Sequence, residues 1–209
     1  AADPGFTLAY LAHAMLFANN LNQNGSDEQR ARFLPGACSG ELIGGMCMSE
    51  PDAGTDVLGM STTAVKDGDF YRLTGRKMWI TNGAINDTDL GDIFLVYAQT
   101  GERQISSFLV EKGMEGFSLG QKLTEKLGMR ASTTAELVFD DCRVPVANRL
   151  GEEGQSMLHM MRNLEIERLT LAAMSLGIAR RCIEVMNTYA QERKAFGKSI
   201  NSFGQIQQH

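Results

Sequence analysis

The segment that decides the fold reads MCMSEPDAGTD and spans residues 46–56. Pro51 fixes its own φ, and Gly54 permits backbone conformations that other residues resist. The sequence therefore predicts a tight loop over residues 50–56 and not an extension of the preceding segment. Such loops expose backbone N–H groups, and the hydroxyls of Ser49 and Thr55 add donors that suit the polar edge of a ligand or a phosphate. The alternative is an ordinary loop capped by its own Asp and Thr side chains.

A second segment reads KMWITNG and spans residues 77–83. Its β-branched and aromatic residues favour a strand, and Asn82-Gly83 is a strong turn signal at the end of that strand. Trp79 and Thr81 lie two positions apart, so a strand would place a flat apolar ring and a hydroxyl on one face. An isoalloxazine ring needs both features. The alternative is a core Trp beside an edge Thr.

A long helical pattern follows residue 150 and carries an acidic residue on its apolar side. Apolar residues recur there at three- and four-residue spacing and form one stripe: Met157, Met160, Leu164, Leu171 and Met174. Glu167 falls on that stripe, where desolvation should raise the pKa of its carboxyl toward the range that suits a general base. The alternative is a buried Glu that pairs with a basic residue of another segment.

A charged line runs along another part of the same helix. Arg162, Glu165 and Arg168 follow one another at intervals of three residues, which is typical of a face that contacts solvent or a charged ligand. Glu167 is therefore the better candidate for a base than Glu165.

Composition excludes several classes of protein. A net charge of −5 with dispersed basic residues argues against a nucleic-acid partner. Four widely spaced cysteines predict neither a metal site nor a disulfide framework, and they fit a reducing compartment. The apolar stretch 8–21 is too short to span a membrane. The sequence has neither a Gly-x-Gly-x-x-Gly nor a Walker-type loop. His13, His159 and His209 are expected to be packing or surface residues.

The order of patterns predicts an α+β fold with helices, a compact antiparallel β domain and helices again. Short β-rich runs at 71–73, 77–81, 93–98, 105–110 and 135–139 are separated by turn residues. We place the divisions at 1–44, 45–150 and 151–209. In the first part, Ser26 begins a capping box for a short helix that should end before Pro35.

Four segments in this order resemble the acyl-CoA dehydrogenase family. They are residues 46–56, 77–83, LEIERL at 164–169 and ERKAFG at 192–197. The third segment is similar to the isovaleryl-CoA branch, in which the catalytic base lies at the position of Glu167. The resemblance covers nearly the whole chain and implies a β domain between two helical domains. It also implies that the chain begins partway through the first helical domain and ends early in the last one.

The resemblance implies a role for each matching residue. Glu167 would be the catalytic base. Residues expected to contact flavin adenine dinucleotide (FAD) are Met46, Met48, Ser49, Gly54, Thr55, Trp79, Ile80 and Thr81, together with Arg193 and Phe196 at the FAD of a neighbouring subunit. Residues expected near the acyl-CoA are Thr55, Leu164, Glu165 and Arg168.

The implied reaction is the FAD-dependent dehydrogenation of a short or branched acyl-CoA to the trans-2-enoyl-CoA. Electron-transfer flavoprotein would be the acceptor, and the protein would form a homotetramer in the bacterial cytoplasm or the mitochondrial matrix. Two alternatives stay open: a non-catalytic fragment or binding module of the same fold, and an acyl-CoA oxidase.

The chain departs from the family pattern in two places. Phe203-Gly204-Gln205 stands where the family usually has Phe-Gln, so a flavin-contacting Gln is absent or displaced by one residue. The loop at 84–92 also looks longer than usual. With the far walls of the acyl pocket outside this sequence, the length of the acyl chain stays open.

Overall fold

The computed structural model describes residues 3–86 and 88–208 of the 209-residue chain. The prediction for His209 falls outside these residues. The N-terminal part is helical, with α1 at Pro4–Leu11, a π-helix at Ala12–Ala18, α2 at Asn19–Asn24 and α3 at Asp27–Ser39.

Polar side chains fix the beginnings of these helices. Asp3 Oδ1 accepts hydrogen bonds from the N–H groups of Gly5 at 2.7 Å and Phe6 at 3.0 Å, which satisfies two donors that α1 leaves free. The predicted capping box is confirmed. The Gln29 N–H donates to Ser26 Oγ at 3.2 Å, and the Ser26 N–H donates to Gln29 Oε1 at 3.1 Å.

The prediction that this helix ends before Pro35 is wrong. α3 includes Pro35 and ends at Ser39; Gly40, which follows it, has a φ of 83°, the left-handed conformation common at helix ends. Phe33 and Ala37 lie on either side of Pro35 and are both buried. Their packing outweighs the single backbone hydrogen bond that the proline removes.

One eight-stranded sheet forms the centre of the molecule, in the order β6-β7-β3-β2-β4-β5-β8, with β1 paired to β4. The strands are β1 at Gly44–Cys47, β2 at Thr63–Asp67, β3 at Phe70–Thr81, β4 at Ile93–Gly101, β5 at Gln104–Glu111, β6 at Phe117–Lys122, β7 at Thr134–Pro145 and β8 at Arg149–Leu150. Most pairs are antiparallel as expected, but β1 and β2 pair with β4 in parallel.

The strand predictions are confirmed in position and corrected in extent. The runs at 71–73 and 77–81 belong to one strand, β3, with a register shift between Leu73 and Gly75 where it pairs with β7. A Cβ at Gly75 would lie 2.7 Å from the Thr62 Cα. Gly75, one of the turn residues between the two predicted runs, thus permits a close backbone approach within the strand.

β4 is buried on both faces and divides the apolar core into two clusters. Phe94, Val96 and Ala98 point into a cluster between parts of the sheet. Leu95 and Tyr97 point to the opposite side, where the helices pack. Because side chains alternate along a strand, β4 joins the sheet to the N-terminal helices.

The C-terminal part begins with a long helix, α4, at Ser156–Glu192. It is followed by a small hairpin of β9 at Lys194–Ala195 and β10 at Lys198–Ser199, and by α5 at Gly204–Gln207. Met160 and Leu164 of the predicted stripe pack against the helical cluster. Met157 does not, because it lies near the start of the helix with 42% of its surface exposed.

Hydroxyl groups attach the beginning of α4 to β5. Ser107 Oγ lies 2.9 Å from Ser156 Oγ, and the Gly154 N–H donates to Ser106 Oγ at 2.9 Å. These contacts fix the direction in which α4 leaves the sheet. None of the described helices combines the length and the apolar character needed to cross a membrane.

We expect Gly44→Ala to destabilise the fold by about 1–3 kcal/mol, the usual range for overpacking. The added Cβ would lie 2.1 Å from the buried ring of Phe17, which holds the π-helix against β1. Chemical denaturation of both proteins measures the difference. Gly177→Ala is the matched control, because open space surrounds Gly177 within α4. Alanine there should stabilise the helix slightly, and an equal loss in both variants would contradict the packing argument.

Candidate functional site

Seven of the predicted site residues meet at one pocket of about 160 Å³. They come from three elements: the end of β1 and the segment after it, the end of β3, and the middle of α4. The predicted residues in its wall are Met46, Met48, Ser49, Trp79, Ile80, Thr81 and Glu167. Sheet and helix therefore face each other across this space.

The loop after Ser49 is as tight as predicted. Glu50 and Ala53 exchange backbone hydrogen bonds of 2.9 and 3.2 Å. The Met78 N–H donates to the Ser49 carbonyl at 2.9 Å, which ties the loop to β3. Both predicted segments thus form one unit.

Trp79 occupies a bulge in β3 instead of a regular strand position. Its φ is 61°, and the register with β7 shifts between Lys77 and Ile80. The expected alternation that would place Trp79 and Thr81 on one face is therefore interrupted, although both side chains still line the pocket. A bulky residue at positive φ is strained. The bulge leaves the Trp79 side chain 52% exposed beside the pocket.

A buried ion pair joins the segment at residues 46–56 to the segment at residues 77–83. Lys77 Nζ donates to Glu50 Oε1 at 2.9 Å, and the two side chains are 0% and 2% exposed. Lys77 Nζ also donates to the Met48 carbonyl at 3.1 Å. The other Glu50 acceptor sites receive the N–H groups of Ser61 at 2.6 Å and Thr62 at 3.0 Å. Both charges are thus paired and hydrogen-bonded, as buried charges must be.

The pKa of Glu50 reports how fully this carboxylate is stabilised. Burial by itself raises the pKa, but the Lys77 ammonium and the hydrogen bonds from Thr62 and Ser61 outweigh burial and lower it to about 2. Burial lowers the pKa of Lys77, and the Glu50 carboxylate opposes that change. The two side chains therefore stay ionised, and their hydrogen bonds hold them in place.

Glu167 has a contrasting environment. Burial raises the pKa of its carboxyl, and Arg168 opposes this only in part. Within the described ranges Glu167 forms no ion pair, so the expected alternative of a paired structural carboxylate finds no partner there. Its carboxyl group can therefore hold a proton at a higher pH than an ordinary glutamate.

The remaining predicted residues lie outside the wall of this pocket. Gly54 and Thr55 are exposed in the loop, and Leu164 packs in the core. Glu165 and Arg168 are exposed on α4, as the charged line predicted. Arg193 follows α4, and Phe196 is 94% exposed in the turn between β9 and β10.

Three residues of the pocket wall were not predicted: Ala12, Leu16 and Met78. Ala12 and Leu16 come from the π-helix, a rare form that often marks functional sites. His13 holds this helix in place, because the Gly44 N–H donates to its Nδ1 at 2.9 Å while its Nε2 lies 2.9 Å from the Ala37 carbonyl oxygen. The expected packing role of His13 is confirmed. No motif in the sequence predicts the π-helix.

The pocket suits a flat, partly polar ring. The exposed indole of Trp79, the hydroxyls of Ser49 and Thr81 and the side chains of Met46 and Met48 offer both an apolar surface and hydrogen-bonding groups. An isoalloxazine has the same combination. The described residues contain no cluster of three or more potential metal ligands.

Family comparison identifies this arrangement. Three family models match in chain order: the N-terminal domain of acyl-CoA dehydrogenase at residues 1–41, the middle domain at 45–142 and the C-terminal domain at 156–209. The chain belongs to the acyl-CoA dehydrogenase family. This confirms the resemblance and the fold class that the four segments predicted.

Individual relatives belong to the same family. Mitochondrial isovaleryl-CoA dehydrogenase of Pongo abelii is 45% identical over 96% of this chain and 47% of its own length. Short-chain specific acyl-CoA dehydrogenase of Clostridium acetobutylicum is 43% identical over 92% of this chain and 50% of its own length. The chain spans about half the length of these curated relatives.

Solved structures show the same fold. Butyryl-CoA dehydrogenase from Megasphaera elsdenii has a TM-score of 0.92 and 37% identity, covering 98% of this chain and 53% of the other. An acyl-CoA dehydrogenase from Bacillus anthracis, solved in complex with FAD, has a TM-score of 0.91 and 34% identity, covering 97% of this chain and 35% of the other.

We expect Lys77→Met to destabilise the fold by about 3–5 kcal/mol, because Glu50 is then left buried without a counter-charge. The double variant Glu50→Gln/Lys77→Met should be clearly more stable than Lys77→Met, since it buries no charge. Urea unfolding of the wild type, both single variants and the double variant gives the coupling energy.

Acid provides the control for this pair. A carboxyl pKa that folding lowers from 4.5 to about 2 stabilises the fold above pH 4.5, and this contribution is lost as pH falls toward 2. The double variant lacks the carboxylate and should lose less stability over that range. Equal acid sensitivity in wild type and double variant would mean that Glu50 does not carry the effect.

Proposed function

We propose that the protein carrying this sequence removes two hydrogens from a short or branched acyl-CoA and releases the trans-2-enoyl-CoA. The observation that carries the proposal is the position of Glu167. It lies in the wall of the same pocket as Trp79 and Thr81, without a counter-ion among the described residues and with a raised carboxyl pKa. A base of this kind suits the removal of a weakly acidic proton next to a thioester carbonyl.

The residues around the pocket have distinct tasks in this proposal. FAD, when bound, supplies the acceptor for the hydride that leaves the β carbon. Trp79 packs on the ring, while Ser49 and Thr81 orient it through hydrogen bonds. Glu167 takes the α proton from the other side of the pocket, which places proton removal on the helix and the cofactor on the sheet.

The proposed substrate is a short or branched acyl-CoA. Ala12 and Leu16 contribute apolar side chains to the pocket wall, which suits an acyl chain of a length that this wall does not set. Exposed Glu165 and Arg168, together with Leu164 and Thr55, are the proposed contacts of the acyl-CoA. The relatives named for isovaleryl-CoA and for short chains are 45% and 43% identical, and they support this class without choosing between its members.

Assembly and electron transfer belong to the same proposal. Phe196 presents a ring that is 94% exposed, and Arg193 is exposed beside it. We assign both to the FAD of a neighbouring subunit in a homotetramer, with Met46, Met48, Gly54, Thr55 and Ile80 serving the FAD of their own subunit. Electron-transfer flavoprotein is the proposed acceptor. A mitochondrial relative and a bacterial one support either the mitochondrial matrix or the bacterial cytoplasm.

The proposed organisation has a first helical domain at 1–44, a β domain at 45–150 and a second helical domain at 151–209. The family models support this division, because their boundaries fall close to these positions. The pocket uses residues from all three parts.

FAD binding should quench the fluorescence of Trp79, the only tryptophan of the chain. Its indole is 52% exposed at the pocket, so a stacked isoalloxazine would accept its excitation energy at contact distance. A fluorescence titration with FAD measures this, and free tryptophan amide mixed with the same FAD corrects for absorption. FAD that co-elutes with the protein but leaves the emission unchanged would contradict the position assigned to the ring. A protein that stays colourless after incubation with FAD would favour the non-catalytic alternative.

Glu167→Gln should slow flavin reduction by substrate by at least about a hundredfold, the low end for loss of a general base. FAD binding should persist, because the amide keeps the shape of the side chain and the carboxylate acts on the substrate. Rapid mixing of the FAD-loaded protein with isovaleryl-CoA or butyryl-CoA measures the rate.

Glu165→Gln is the matched control for that experiment, since it removes the same charge two residues away on the exposed side of α4. It should change acyl-CoA affinity more than the rate at saturation. A near-normal reduction rate in Glu167→Gln would assign the base to another residue. Peroxide formation in air during turnover would favour the oxidase.

A further inference from the structure

A second hollow, of about 420 Å³, shares Trp79 with the pocket that contains Glu167. Its other lining residues are Lys122, Leu123, Thr124, Glu125, Lys126 and Thr134. The proposed function assigns nothing to this hollow.

Lys126 is a half-buried cation whose bonding partners are all neutral. Its Nζ donates to Thr134 Oγ1 at 2.9 Å, to Ser132 Oγ at 3.2 Å and to the Ser132 carbonyl. No carboxylate in the described part of the chain forms an ion pair with it. Lys77 differs in this respect, because Glu50 cancels its charge.

Register in the sheet brings Lys126 close to the cofactor side of the pocket. Thr134 of β7 lies directly opposite Thr81 of β3, and side chains of directly paired residues lie on one face with Cβ atoms about 4.5–5.5 Å apart. The ammonium that bonds to Thr134 is therefore one side chain away from Thr81.

The environment of Lys126 agrees with an uncompensated charge. Burial lowers its pKa, and no neighbouring charge opposes this. A half-buried cation without a counter-ion costs free energy in the protein alone. A negatively charged ligand beside it would recover part of that cost, because charges interact more strongly near a low-dielectric interior than in water.

We propose that Lys126 is an electrostatic partner of the flavin and that its ammonium stabilises the negative charge that the ring gains on reduction. The assignment rests on the proposed function, since it requires FAD to bind beside Trp79 and Thr81. A charge near the ring is one of the means by which a protein sets the reduction potential of a flavin. Lys126 thus favours the state of the cofactor that follows proton removal by Glu167.

The test compares the binding of oxidised and reduced FAD in Lys126→Gln, which keeps a hydrogen-bond donor and removes the charge. We expect the affinity for reduced FAD to fall at least about tenfold more than the affinity for oxidised FAD, which corresponds to a midpoint potential about 30 mV lower for a two-electron couple. A redox titration of the FAD-loaded protein against a reference dye measures the potential. Lys126→Arg keeps the charge and should retain most of the wild-type potential.

Lys112→Gln is the matched control, because Lys112 is exposed in the turn after β5 and lines neither hollow. It removes the same overall charge and should leave the potential unchanged. If Lys126→Gln weakened the binding of oxidised and reduced FAD equally, the proposal would be overturned. Lys126 would then only hold its loop in place. If Lys126→Gln loses FAD altogether, Lys126→Arg decides, since a clearly lowered potential there would also overturn it. A wild-type protein that takes up no FAD would refute the proposed function and this assignment with it.

Discussion

The ion pair between Glu50 and Lys77 is the contact on which the site depends. It joins the loop after β1 to the end of β3, two segments that are 27 residues apart in the chain. Because both side chains are buried, neither charge can turn toward water, and each can be stabilised only by the other and by fixed hydrogen bonds. One of these hydrogen bonds runs from Lys77 Nζ to the Met48 carbonyl. The pair therefore positions the backbone from which Ser49 and Trp79 reach the pocket.

Two glutamates illustrate how environment separates a structural carboxylate from the proposed catalytic one. Glu50 accepts hydrogen bonds from every side and has its pKa lowered to about 2, so it stays ionised in all ordinary conditions. Glu167 lies on a helix among apolar groups, and burial raises its pKa. Pairs of carboxylates whose surroundings move their pKa values apart commonly divide such tasks. The hydroxyl contacts of Ser106 and Ser107 with the start of α4 fix the helix that carries Glu167, so the difference between the two acids is built into the fold.

Local chemistry in the sequence predicted much of the fold, and the failures have physical causes. The capping box at Ser26, the tight loop after Ser49 and the long helix through Glu167 depend on short-range patterns, which a sequence displays. The continuation of α3 through Pro35 depends on tertiary burial of its neighbours, which outweighs propensity. The bulge at Trp79 depends on register with a strand more than 50 residues later in the chain. The π-helix that supplies Ala12 and Leu16 to the pocket is a departure from helical period that no residue type announces.

The charges that stay uncompensated at the site match the charges that the proposed reaction moves. The buried pair contributes no net charge, so it can fix the backbone without favouring either redox state. Among the described residues neither Glu167 on the helix nor Lys126 beside the sheet forms an ion pair. In the proposed reaction a proton would arrive at Glu167 and negative charge would accumulate near Lys126. A base on the helix and a cation beside the sheet would suit a reaction in which the proton and the electrons leave the substrate in different directions. Trp79, strained at a positive φ in its bulge, belongs to the walls of both hollows, so it contacts the space of the proposed base and that of the proposed cation.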